Sequence, residues 1–72
     1  MEKYLIYYDE TPTSRKYVQT IYRNSTSESK DLGDAIEFDK KGVALEIAEY
    51  LSKRERAEYK VLCIKTTFEE ID

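Results

Sequence analysis

Histidine and tryptophan are absent from this 72-residue chain, and cysteine, proline and methionine occur once each. Without histidine there is no imidazole to ligate a metal, to activate a serine or cysteine, or to shuttle protons near neutral pH. A single cysteine excludes an intrachain disulfide framework and any paired-cysteine redox or zinc motif. The two glycines, Gly33 and Gly42, are too far apart to build a glycine-rich phosphate loop. Asp31, Asp34 and Asp39 do not follow the spacing of a calcium loop. No apolar run approaches the roughly 18 residues of a membrane-spanning helix. The opening MEKYLIYYDE has the features of neither a signal nor a transit peptide. With one cysteine, that start leads to the expectation of a reducing, cytoplasmic setting. The Asn24-Ser25-Thr26 sequon is then without meaning.

Charge and tyrosine are what the chain has in quantity. Charged residues make up 38 %, with a net charge of −3, and seven residues are tyrosine. Residues 1–39 carry 5 basic and 8 acidic groups, whereas 40–72 carry 7 of each, so the acidic excess lies in the first half. That balance argues against a nucleic-acid module, which is usually basic. A chain of this length forms one domain, 1–72, and buries only about 60 % of its unfolded surface. Such a small core needs either close packing or a homodimer to support it.

Residues 3–8, KYLIYY, are rich in aromatic and β-branched side chains and read as a strand. Alternation places Tyr4, Ile6 and Tyr8 on one face and Leu5 and Tyr7 on the other. Residues 9–14 contain Pro12 among polar neighbours and read as a hairpin loop. The second strand is 15–22, with faces Tyr17/Gln19/Ile21 and Val18/Thr20/Tyr22. Residues 23–31 hold no large apolar side chain, and a flexible loop is expected over 23–33. Residues 31–36 form either a helical turn capped by Asp31 or the lead-in to a third strand, 36–38.

Asp39 is the favoured N-cap of an amphipathic helix over 40–55. Val43, Ala44, Ile47, Ala48 and Leu51 recur at helical spacing, with Tyr50 on the shoulder. Gly42 weakens the first turn. No glycine is placed to cap the end, so the helix is expected to fray through 54–58. Residues 59–68 read as the final strand, with Cys63 a packed, unreactive thiol, and 69–72 as a tail. The order β-β-(β)-α-β makes an α+β fold, in which three or four antiparallel or mixed strands carry one helix on one face. The last strand is free to run parallel to the one before the helix.

Nothing here assembles a catalytic centre, and the expectation is a non-enzymatic protein with no cofactor and no metal. Five of the seven tyrosines fall in the first two strands. A one-helix sheet leaves a second face uncovered, and tyrosine suits such a face because its ring buries area while its hydroxyl stays wet. If Tyr4, Ile6 and Tyr8 face the helix, the candidate interaction residues are Tyr7 and Tyr22; in the reverse register, Tyr4 and Tyr8 replace them. Lys53, Arg54 and Arg56, with Lys60, form a basic rim suited to steering an acidic partner. The alternatives are a nucleic-acid or nucleotide binder using the same tyrosine platform and a homo-oligomer that consumes the face itself.

The stretch DAIEFDKKGVALEIAEYL at 34–51, with KYLIYYD before it and EYKVLCIKTTF after it, resembles small proteins encoded by bacteriophages and prophages. Gly42 departs from their pattern, in which the helix start carries charge. The resemblance implies a location in the cytoplasm of a bacterial host cell. It also implies a binder that blocks or redirects a host protein, a class that includes counter-defence proteins. It supplies no site residues.

Overall fold

The computed structural model describes residues 2–65. Its elements are β1 (Glu2–Thr11), β2 (Ser14–Ile21), β3 (Thr26–Ser29), a 3-10 turn (Leu32–Asp34), α1 (Lys41–Glu55) and β4 (Lys60–Lys65). The strands form one four-stranded antiparallel sheet in the order β3-β2-β1-β4. This is the small α+β architecture expected from the sequence. The part of the expected final strand beyond Lys65, and the expected tail, lie outside the described residues.

The hairpin is longer than its sequence suggested. β1 runs to Thr11 and β2 starts at Ser14, so the expected loop of 9–14 shrinks to Pro12-Thr13. Cross-strand ion pairs hold the extension together: Arg15 Nε lies 2.9 Å from Asp9 Oδ1 and Lys16 Nζ lies 3.2 Å from Glu10 Oε2. The register slips between Asp9 and Thr11, where β1 carries one residue more than β2.

The expected loop across 23–33 contains two regular pieces. Thr26–Ser29 pair with the outer edge of β2 as β3. A strand at a sheet edge is held by main-chain bonds, so the absence of large apolar side chains did not prevent it. Leu32–Asp34 form the helical turn, with the Asp31 carboxylate accepting from the Gly33 N–H at 3.0 Å.

Residues 36–38 enter the sheet as a wedge. The Ile36 N–H donates to the Val18 carbonyl at 3.0 Å, and Phe38 exchanges both main-chain bonds with Tyr4, at 2.8 and 2.9 Å. The expected third strand is therefore a single bridge. Phe38 and β4 flank β1 and both run antiparallel to it, so they run parallel to each other with α1 as the crossover.

The bridge also shifts the start of the helix. Asp39 directly follows Phe38 and its carboxylate is engaged by Lys3, so Asp39 does not cap α1. Lys40 stands at the N-cap instead and makes no side-chain capping bond. At the other end the helix does not fray through 58 as expected. It stops at Glu55, with Arg56 in the left-handed conformation at φ 55°.

The core lies between α1 and one face of the sheet. Ile6, Val18, Ala48, Leu51 and Tyr59 form a buried cluster, with Tyr8, Ile21, Ile36, Phe38, Ile47 and Val61 packed against it. Ile6 and Tyr8 thus face the helix, which leaves Leu5 and Tyr7 on the opposite side. Strict alternation fails in β2. The register slips between Val18 and Thr20, so two residues of β2 span what one spans on β3. Such a bulge lets Val18 and Ile21, which alternation separates, both reach the core.

Candidate interaction surface

On the sheet face away from α1, Tyr7 stands directly opposite Tyr17. Tyr4 directs its N–H and C=O toward Phe38, and so toward the β2 side of β1. Main-chain groups alternate in direction along a strand, so Tyr7 directs its own toward β4. Tyr7 and Tyr17 therefore form a non-hydrogen-bonded pair, the closer of the two antiparallel pair types. Their ring centroids are 6.4 Å apart and the planes are tilted by 53°, a favourable offset for two aromatic rings. The Arg15 guanidinium carbon sits 4.0 Å from the centroid of Tyr7. Asp9 orients that guanidinium through its bond to Nε and raises its pKa, chiefly by that hydrogen bond.

The apolar floor of this face continues onto β4. Leu5 pairs with Leu62 and Lys3 with Ile64. Leu5 is buried, while Tyr7, Tyr17, Leu62 and Ile64 are half-buried. Among the described residues, α1 and the core cluster both lie on the other side of the sheet. The result is a row of half-buried apolar and aromatic side chains around the buried Leu5, with Arg15 and Lys60 at its margin.

Tyr22 follows β2 and is 55 % exposed, at the end of the molecule where α1 finishes. Arg54 joins the two elements: its Nη1 donates to the Tyr22 carbonyl at 2.9 Å and to the Arg23 carbonyl at 3.1 Å. The Arg54 side chain is only 17 % exposed, lies 2.9 Å from Glu55 Oε1 and sits 5.4 Å from the Tyr50 ring centroid. Arg54 was expected on the basic rim, but the structure commits its Nη1 to the molecule's own backbone and its Nε to Glu55. Lys53 is exposed and lies 3.3 Å from Glu49. Arg56 is exposed and ends the helix.

The five residues singled out in the sequence therefore do not form one site. Tyr22, Lys53, Arg54 and Arg56 gather at the end of α1, and Tyr7 lies on the far face of the sheet. Tyr17 and Arg15 were missed. Alternation had assigned Tyr17 to a face with Ile21, and the bulge overturns that grouping. The signal that finds Tyr17 is pairing across the hairpin, which needs the turn to be placed at Pro12-Thr13.

Three tyrosines have shifted acidities. Tyr4 is pushed up to about 12, first by its hydrogen bond to Glu2 and then by desolvation. Tyr8 and Tyr59, whose ring centroids are 5.2 Å apart, are both raised, chiefly by burial. Cys63 is exposed rather than packed. It belongs to the outermost strand, on the helix side of the sheet, where α1 does not reach over it. Among the described residues no cavity opens and no group of acidic or sulfur side chains is arranged to hold a metal. No helix there is long and apolar enough to cross a membrane. Searches for a matching family model, a curated relative and a solved structure each return no match.

Proposed function

We propose that this chain is a non-enzymatic interaction module that occludes a surface of another protein, in the manner of a small phage-type inhibitor of a host protein. The supporting observation is the Tyr7–Tyr17 pair with Arg15 over the Tyr7 ring, on the sheet face away from the core cluster. Tyrosine and arginine are the side chains that most often anchor protein interfaces, and a rim of charge around them sets orientation. In this reading Tyr7 and Tyr17 enter the partner's surface, while Arg15 and Lys60 fix the register. Lys53 and Arg56 lie elsewhere and contribute steering only.

The test is capture of partners from a bacterial lysate on the immobilised chain, followed by affinity measurement with each captured protein. Tyr7→Ala and Tyr17→Ala are each expected to cost about 2 kcal/mol or more, roughly thirtyfold in Kd. Tyr50→Ala, on the outer side of α1, is expected to leave affinity unchanged. Equal retention by all three variants overturns the reading. So does preferential binding of single-stranded oligonucleotides with a steep loss on adding salt, which identifies a nucleic-acid platform instead.

A further inference from the structure

We infer that residues 22–35 form a strap that opens and closes as one unit over an otherwise folded molecule, with Arg54 as its latch. The inference does not depend on the proposed function and starts from the two ends of the strap. Ile21 and Ile36, which flank it, both pack against the buried cluster. The Ile36 N–H donates to the Val18 carbonyl at 3.0 Å. The chain thus leaves β2 and comes back to it, a segment with its two ends close together, as in an Ω-loop.

Between those anchors no residue is buried. The two large apolar side chains of the strap, Tyr22 and Leu32, are 55 % and 42 % exposed. Among the described residues, its charged side chains form no ion pair with the rest of the molecule. Ser29 and Asp31 spend their side chains inside the strap, on Asp34 and on the Gly33 N–H. A segment that buries so little apolar surface opens at a lower free energy than the core does.

Three features hold the strap down. The main chain of β3 pairs with β2, and Thr26 lies beside the Tyr59 hydroxyl. The third is Arg54 of α1, which donates Nη1 to the Tyr22 and Arg23 carbonyls. The Tyr22 N–H donates to the Ser25 carbonyl at 2.8 Å, so Arg54 grips the tight turn on which the strap begins. Hydrogen bonds from a charged donor are the stronger kind. The guanidinium is itself steadied by its Nε bond to Glu55 and by the Tyr50 ring. Among the described residues these are the only side-chain hydrogen bonds between the strap and α1. Closed, the strap keeps the outer edge of β2 paired from Tyr17 to Ile21. Opened, it leaves that edge as an unpaired template of the kind that other strands add to. The latch therefore controls when the β2 edge is presented.

The experiment is hydrogen exchange followed amide by amide, in native buffer and in urea below the unfolding transition. Ser27 reports the strap. Tyr22 turns its N–H toward Ser25, so by alternation Thr20 and Ser27 bond to each other. Leu5 and Leu62 report the sheet. Tyr4 spends its main-chain groups on Phe38, so by alternation Leu5 and Leu62 bond across β1 and β4. Protection at Ser27 is expected to be at least about tenfold lower than at Leu5 and Leu62. It is also expected to change little with urea, because opening the strap exposes little surface, whereas Leu5 and Leu62 lose protection steeply. Arg54→Ala is expected to lower Ser27 protection about tenfold or more and to affect Leu5 and Leu62 much less. Arg54→Lys keeps the charge but loses the planar fork, and is expected to fall between Arg54→Ala and the wild type. The inference is overturned if Ser27, Leu5 and Leu62 share one protection and one urea slope, or if Arg54→Ala lowers all three equally. If Arg54→Ala does not fold, Arg54→Lys is read by the same comparison.

Discussion

Arg56 ends α1 in a conformation that costs an L-residue roughly 1–2 kcal/mol. Glycine adopts it freely but adds entropy to the unfolded chain. Arg56→Gly is therefore expected to stabilise the protein by about 0.5–1 kcal/mol, read as a higher urea midpoint at unchanged slope. The absence of a glycine cap was visible in the sequence, but it pointed to fraying. Arg54, tied to the carbonyls of Tyr22 and Arg23, supplies a tertiary reason for the helix to stop where it does. Tyrosine acidity gives a second test at this scale. Tyr8 and Tyr59 hold their protons above the ordinary value of 10.0 in the folded chain. Once the pH exceeds that value the unfolded chain releases protons first, so stability is complete below about pH 10 and falls as pH rises further. In an absorbance titration of tyrosinate, Tyr4 is expected to ionise near 12, and Glu2→Gln is expected to bring it down.

α1 is poorly started for its length. Lys40 at the N-cap makes no side-chain bond, and a Cβ on Gly42 would meet nothing within 4 Å. Gly42→Ala is expected to add about 0.5–1 kcal/mol, and Lys40→Asp about 1 kcal/mol by capping the first turn; thermal unfolding of the single and double variants measures both. The periodicity of Ala44, Ala48 and Leu51 showed this helix and its buried stripe in the sequence. Val43 and Tyr50 belonged to the same pattern, yet they are 43 % and 54 % exposed. A sheet this narrow meets only part of the stripe. For β3 the pattern carried no signal, because its pairing is a property of β2's edge rather than of its own side chains.

For the whole molecule, the core is small enough that one large truncation is decisive. Leu51 is fully buried at the centre of the cluster with Ile6, Val18 and Tyr59. Leu51→Ala is expected to cost about 2–5 kcal/mol, against a total that rarely exceeds 3–5 kcal/mol in a domain of this size. The variant is thus expected to be largely unfolded at room temperature, with loss of near-ultraviolet circular dichroism. Tyr17, on the other face of the sheet, lies outside this cluster, which separates interface effects from stability effects.

The sequence by itself determined the α+β class, the aromatic strands, the single amphipathic helix and the lack of imidazole and paired-thiol chemistry. Composition and short-range periodicity encode these directly. It also held the condition on which Tyr7 became a candidate, namely that Ile6 and Tyr8 face the helix. Only the tertiary structure decided that this condition is met, because both faces of β1 carry apolar groups and local pattern cannot choose between them. Tertiary structure likewise paired Tyr17 with Tyr7, drew Arg54 inward and left Cys63 exposed. Each depends on register between strands, and a bulge in β2 and a bridge at Phe38 set that register through main-chain hydrogen bonds rather than through the side chains that a sequence displays.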